Sequence, residues 1–142
     1  MDHTRRPYDV FDPDCPSRQA FDQIFSRWGI LTLSRLTTEP VRFGVLRREV
    51  GGISERMLAQ TLRVLEEEGL VHRVEWDEKP PRVEYRLTEA GDRIATSLRG
   101  VIQELYGQLD RKPKPTRPAI LEKTHASSNQ RTVDRAGSSD SP

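Results

Sequence analysis

Residues 43–69 read FGVLRREVGGISERMLAQTLRVLEEEG, and this stretch decides the fold. Apolar side chains recur at helical spacing over residues 43–50, which predicts a short helix there. The pair Gly51–Gly52 then predicts a sharp turn. A longer helix is expected to follow, with Ser54 as its capping residue and Gly69 closing it. Two helices joined by a short glycine turn form the basic unit of a helix-turn-helix.

The longer helix has two opposed faces, because successive residues turn by about 100° around its axis. One face is an apolar stripe of Leu58, Leu62 and Leu65. The other is a polar stripe of Arg56, Gln60 and Arg63. We expect the apolar stripe to pack on the preceding helix and the polar stripe to face outward. Arginine pairs with guanine edges and glutamine with adenine edges, so the polar stripe has the chemistry to read a major groove.

The start of this helix offers further DNA contacts. Ser54 and Glu55 lie at its exposed N-terminus, where free backbone N–H groups suit a phosphate. Arg47, on the preceding helix, is another candidate for a contact to the DNA backbone. The alternative is that the polar stripe is only the solvated face that every surface helix has.

Two helices are predicted before this unit. Ser17 is expected to cap the first of them, which carries apolar residues at helical spacing. The second is predicted from about Trp28 to Thr37, and the Glu39–Pro40 pair stops it.

After Gly69 the spacing of the apolar residues changes from helical to alternating. Residues 70–76 and 82–87 alternate as half-buried strands do, with a turn over residues 77–81, which predicts a two-stranded hairpin. Thr88 is expected to cap a last helix with a long apolar stripe. The stripe comprises Ile94, Leu98, Val101, Ile102, Leu105 and Leu109. The predicted fold class is α+β, mostly α: a winged helix-turn-helix with a two-stranded β-wing and a C-terminal dimerisation helix.

The tip of the predicted wing carries two cations, Lys79 and Arg82, beside two prolines. These side chains are candidates for a phosphate contact or for insertion into a narrow minor groove. Three acidic residues lie nearby, Glu75, Asp77 and Glu78, and they would have to point away from the DNA. The alternative is an ordinary solvated loop.

Composition divides the 142 residues into three zones. Residues 1–16 form an N-terminal arm, residues 17–109 form the winged helix-turn-helix domain, and residues 110–142 are too poor in apolar side chains to order, so a disordered tail is expected. The middle zone carries 14 basic and 14 acidic residues. Any DNA-binding surface must therefore be a local patch.

Several classes of function find no support in the residues. A single cysteine, Cys15, and three scattered histidines give no metal-ligand spacing, and no cofactor is expected. No apolar stretch approaches the roughly 20 residues of a membrane helix. We expect a soluble, cytoplasmic protein that is not an enzyme.

The sequence over about residues 15–109 resembles that of the HxlR-type transcriptional regulators, which are relatives of the MarR group. The most specific part is Pro-Pro-Arg-Val-Glu-Tyr at residues 80–85, followed by Leu-Thr-Glu-Ala-Gly at residues 87–91. The remaining matching segments are Cys15-Pro16, the Trp28 region, residues 42–48, Ile53-Ser54 and residues 65–71.

The resemblance implies a homodimer built from the first and last helices, with each subunit placing a recognition helix in a palindromic site on double-stranded DNA. Repression is the role it favours. Some members use a cysteine at the position of Cys15 as a thiol sensor, and a helix N-terminus lowers a thiol pKa. Asp12 and Asp14 oppose that effect, and the alternative is a packed cysteine with no sensing role.

Two alternatives stay open beside the regulator interpretation. One is a thiol-based redox sensor acting through Cys15, which has no second cysteine within the chain and would need an intermolecular disulfide. The other is a winged helix used for protein interaction, for which a neutral domain is no handicap. No residue indicates a small-molecule effector.

Overall fold

The computed structural model describes residues 7–114. The elements within this range are, in order, α1 (Pro16–Ile24), α2 (Arg27–Arg35), β1 (Val41–Arg42), α3 (Phe43–Glu49), α4 (Glu55–Glu67), β2 (Val71–Trp76), β3 (Arg82–Leu87) and α5 (Glu89–Arg111). This order of helices followed by a hairpin and a final helix is the predicted winged helix-turn-helix. Residues 1–6 of the expected arm and residues 115–142 of the expected tail lie outside the described range.

The helix-turn-helix is formed by α3 and α4, as predicted. Gly52, in the turn between them, has φ +85°, a conformation that glycine adopts without a steric penalty. Ser54 caps α4, because its Oγ accepts a hydrogen bond of 3.1 Å from the backbone N–H of Met57. Gly69, with φ +74°, follows the end of the helix.

The core lies beneath α4. Leu58, Leu62 and Leu65 are buried there with Leu33 and Leu46, which come from α2 and α3. Each fully buried leucine contributes about 1.5–3 kcal/mol relative to an exposed one. Their burial fixes the rotation of α4 about its axis, and that rotation decides which side chains face solvent.

The starts of the first two helices differ from the prediction. Cys15 is the N-cap of α1 and Pro16 is its first residue, so Ser17 lies inside the first turn and does not cap it. Proline favours this first position because its missing N–H has no helical partner. The second helix begins at Arg27, capped by Ser26, and ends at Arg35 instead of Thr37.

The sheet contains one strand more than the prediction. The hairpin of β2 and β3 is confirmed, with Arg73 opposite Tyr85 in its register. The short strand β1 adds to the other edge of β3, where Val41 pairs with Tyr85, so the sheet is antiparallel with the order β1-β3-β2. A two-residue strand is too short to show an alternating pattern.

The start of α5 packs directly on the backbone that leads into the hairpin. Thr88 caps this helix, since its Oγ1 accepts a hydrogen bond of 3.0 Å from the N–H of Gly91. A Cβ at Gly91 would lie 2.0 Å from the carbonyl oxygen of Leu70, so only glycine fits this contact. Further along α5, Arg99 donates to the carbonyl oxygens of Ser34 and Leu36 at the end of α2.

The chain divides into two compact units, and the core belongs to the first, which ends at Gly107. The second begins at Gln108, and its described part consists of the end of α5 and residues 112–114. Helix α5 ends at Arg111, which is two residues after the predicted end of the winged helix-turn-helix domain at residue 109.

Candidate nucleic-acid interface

The polar stripe of α4 faces solvent. Arg56, Gln60 and Arg63 are exposed, whereas Leu58 and Leu62 on the opposite side are almost completely buried. The predicted opposition of the two faces is confirmed. The stripe holds three side chains that can donate hydrogen bonds to base edges, on a helix whose orientation the core fixes.

The N-terminus of α4 is tied to α3 by Arg47. The Nη1 atom of Arg47 donates to Glu55 Oε1 at 3.1 Å, and its Nε donates to the carbonyl oxygen of Ile53 at 3.5 Å. The structure thus brings together Arg47, Ser54 and Glu55 at one end of the polar stripe. It also engages Arg47 with a carboxylate, which the sequence did not indicate.

The wing positions its two cations differently. Lys79 is exposed at the tip, while Arg82 lies over the ring of Trp76, with 5.1 Å between its Cζ and the ring centroid. Two carboxylates approach the same guanidinium: Glu78 at 3.5 Å and Glu84 at 2.9 Å. DNA binding by the wing requires its acidic residues to point away from the DNA, and the turn brings one of them, Glu78, beside Arg82.

Arg73 is a candidate DNA-contact residue that the sequence did not reveal. It lines a cleft of about 300 Å³ between α4 and the sheet, together with Ala59, Arg63, Glu66 and Tyr85. Hydrogen bonding to Tyr85 raises the pKa of Arg73 above its ordinary value, and Glu75 forms an ion pair with it. The alternation of β2 places Arg73 on the same face as Val71, but only the packing of α4 on the sheet puts it beside Arg63.

Cys15 lies partly exposed just before α1. The Ser17 hydroxyl donates to its Sγ at 3.1 Å, and the backbone N–H of Asp9 approaches the same atom at 3.5 Å. These donors, with the Ser17 hydroxyl as the largest contribution, lower the pKa of the Cys15 thiol, while the charge of Asp12 opposes them. Hydrogen bonds to sulfur stabilise the thiolate, which is the nucleophilic form.

Large apolar side chains are exposed on α5 and on α1. Val101 is 65% exposed and Leu105 54% exposed on α5, and Phe21 on α1 is 44% exposed. Large exposed apolar side chains that share a helical stripe mark an interaction surface more often than scattered ones do.

In the described part of the chain, no helix is both long and apolar enough to cross a membrane.

Comparison with known proteins gives a consistent result. Residues 23–115 match the family described as HxlR-like helix-turn-helix. The chain is 44% identical over 89 residues to YtfH of Escherichia coli strain K12, described as an uncharacterized HTH-type transcriptional regulator, with 63% of this chain and 71% of YtfH covered.

Two solved structures are similar as well. The ytfH protein of Salmonella typhimurium, described as a transcriptional regulator, has a TM-score of 0.66 and 39% identity, covering 72% of this chain and 91% of that one. The redox regulator HypR in its oxidised form has a TM-score of 0.56 and 32% identity, covering 70% of this chain and 100% of that one.

Proposed function

The chain belongs to the HxlR-like helix-turn-helix family of transcriptional regulators, and on this premise we propose that it is a homodimeric repressor that binds a palindromic operator. It works in the cytoplasm, where its DNA target lies, and acts by binding and not by catalysis. The observation that carries the proposal is the rotation of α4, which buries three leucines and presents Arg56, Gln60 and Arg63 to solvent.

The roles of the residues follow from their positions. Arg56, Gln60 and Arg63 contact base edges in the major groove. Ser54 and Glu55 lie at the start of α4, and the free N–H groups there are the proposed contact to a phosphate. Other candidates for phosphate or minor-groove contacts are Arg47, Lys79 and Arg82.

The dimer is proposed to form through α1 and α5. Val101 and Leu105 lie on one stripe of α5 that the subunit leaves exposed, and a second copy would cover it. A two-fold axis then places two copies of α4 in successive major grooves, about 34–36 Å apart. A palindromic operator is the DNA sequence that matches this symmetry.

The test is selection of binding sites from a pool of random duplexes, with the bound fraction sequenced and the affinity followed against salt. A palindromic motif that binds far more tightly than the pool supports the proposal. If no sequence is enriched with either reduced or oxidised protein, the proposal fails and the protein-interaction alternative takes its place.

A second candidate function, control of DNA binding by thiol oxidation, is favoured by the hydrogen bonds to Cys15. Its thiolate attacks a peroxide oxygen, which gives a sulfenic acid and hydroxide or alcohol as the leaving group. The sulfenic acid then condenses with the thiol of a second copy, releasing water and forming an intermolecular disulfide. Similarity to the redox regulator HypR supports the same idea.

The experiment for this candidate compares Cys15→Ser with the wild type before and after peroxide. Loss of the peroxide response, with DNA binding of the reduced protein unchanged, supports it. An unaltered response in Cys15→Ser excludes it.

A further inference from the structure

Arg47 and Arg82, which the proposed function places at DNA, have carboxylate partners, and so does Arg73, which lines the same cleft as Arg63. Beside the start of α4, Arg47 Nη1 lies 3.1 Å from Glu55. In the cleft beneath α4, Arg73 is paired with Glu75. On the wing, Arg82 lies 3.5 Å from Glu78 and 2.9 Å from Glu84. Arg47 and Arg73 have one carboxylate each, and Arg82 has two.

The pairs do little for the fold. Glu55, Glu75 and Glu78 expose between 53% and 72% of their side chains, and exposed ion pairs contribute little to folding stability. Their main effect is on the electric field that a distant DNA molecule meets. An arginine beside a carboxylate forms a neutral pair, so it neither attracts a phosphate from afar nor releases counterions as a free cation would.

The pairs nevertheless leave donors available for close contact. A guanidinium has five N–H donors, and Arg47 uses Nη1 for Glu55 and Nε for the carbonyl oxygen of Ile53. Among residues 7–114 its Nη2 group has no hydrogen-bond partner, so it can donate to a phosphate or to a base. An operator bound in register forms hydrogen bonds with these donors. DNA of arbitrary sequence stays farther away, where the neutral pair exerts little electrostatic attraction on it.

We infer that Glu55, Glu75 and Glu78 are specificity-determining residues that suppress sequence-independent DNA binding. Glu55 and Glu75 neutralise Arg47 and Arg73, and Glu78 adds a negative charge beside Arg82, which Glu84 already neutralises. The inference rests on the proposed function. It is consistent with the equal numbers of acidic and basic residues in residues 17–109. Sequence discrimination then comes from two sources: α4 supplies the base contacts, and the carboxylates lower the background affinity against which those contacts compete.

The test measures binding to a random duplex and to the selected operator for Glu55→Gln, Glu75→Gln and Glu78→Gln. Glutamine keeps the shape and removes the charge. We expect Glu55→Gln and Glu75→Gln each to bind random DNA about three- to tenfold more tightly, with a salt slope steeper by about one unit for the phosphate gained. Glu78→Gln should gain less, because Arg82 keeps its pair with Glu84. Affinity for the operator should rise less, so the ratio of specific to non-specific affinity falls.

The matched control is Glu89→Gln. Glu89 pairs with Arg93 at 3.1 Å, as Glu55 does with Arg47, but this pair lies on α5, outside the proposed DNA-binding surface. Its substitution should leave both affinities unchanged. Unfolding transitions of all four variants establish that each one folds.

The outcomes separate the two ideas. If the wild type selects an operator but the three variants bind random DNA as the wild type does, the inference is overturned and the proposed function stands. A gain as large in Glu89→Gln would also overturn it, because the effect would then be one of net charge. If the wild type selects no sequence, the proposed function fails and the inference fails with it.

Discussion

The guanidinium of Arg47 bridges the turn of the helix-turn-helix to the carboxylate of Glu55, with 3.1 Å between Nη1 and Oε1. Both side chains are largely exposed, so the pair stabilises the fold by about 0–1 kcal/mol. We predict that a double-mutant cycle of Arg47→Ala and Glu55→Ala, measured by urea unfolding, gives a coupling energy in this range. A coupling above about 2 kcal/mol would show that the pair contributes substantially to the fold and contradict the small contribution expected of an exposed ion pair.

Arg56 is predicted to read a base. Arg56→Ala should weaken binding to the selected operator by about 1–3 kcal/mol and leave binding to random DNA nearly unchanged, because a bidentate contact to guanine is specific to sequence. Fluorescence anisotropy with the two duplexes measures both effects. Arg93→Ala, which removes the same charge from α5, is the control. An equal loss on both duplexes would show that Arg56 contacts a phosphate.

Two glycines of α5 are expected to respond oppositely to substitution by alanine. A Cβ at Gly91 would lie 2.0 Å from the Leu70 carbonyl oxygen, and this backbone cannot move away without displacing the hairpin. Gly91→Ala should therefore destabilise the fold by about 1–3 kcal/mol or more. A Cβ added at Gly100 would meet no atom within 4 Å, so Gly100→Ala should stabilise the helix by about 0.5–1 kcal/mol.

Thermal and urea unfolding of the two variants give the comparison directly. Equal effects at Gly91 and Gly100 would mean that the start of α5 is not held against the backbone of Leu70 in solution.

The apolar stripe of α5 gives a prediction about assembly. Leu105→Glu places a charge on a side chain that is 54% exposed in the single subunit, so it should cost the subunit little but separate the proposed dimer. Sedimentation equilibrium should show a dimer for the wild type and a monomer for the variant, with weaker operator binding. Gln103→Glu, an equal change of charge on the same helix, should remain dimeric. A dimeric Leu105→Glu would place the interface elsewhere.

The parts of the fold that the sequence predicted correctly depend on local chemistry. Ser54 caps α4 and Thr88 caps α5 because a side-chain oxygen and an N–H three residues later suffice. The predicted cap at Ser17 was wrong because Pro16 occupies the first helical position and moves the start of α1 back.

The parts that the sequence did not predict depend on pairs of residues far apart in the chain. Strand β1 exists because Val41 meets Tyr85, 44 positions later. Arg73 becomes a candidate only through the packing of α4 on the sheet, and alternation within one strand cannot show this. The carboxylates beside Arg47 and Arg82 depend on side-chain orientation around two turns, which hydrophobic periodicity does not encode.

The hydrogen bond from Ser17 to Cys15 gives the last prediction. Because this donor is the largest of the influences that lower the pKa of the Cys15 thiol, Ser17→Ala should raise that pKa toward its ordinary value. The thiolate fraction at neutral pH then falls, and alkylation by iodoacetamide becomes slower there. The rate of alkylation followed from about pH 5 to about pH 10 should show its midpoint moving to higher pH, while Ser97→Ala on α5 leaves it in place. A midpoint unmoved by Ser17→Ala would show that the hydroxyl does not donate to the sulfur, and the structural support for a thiol sensor would be lost.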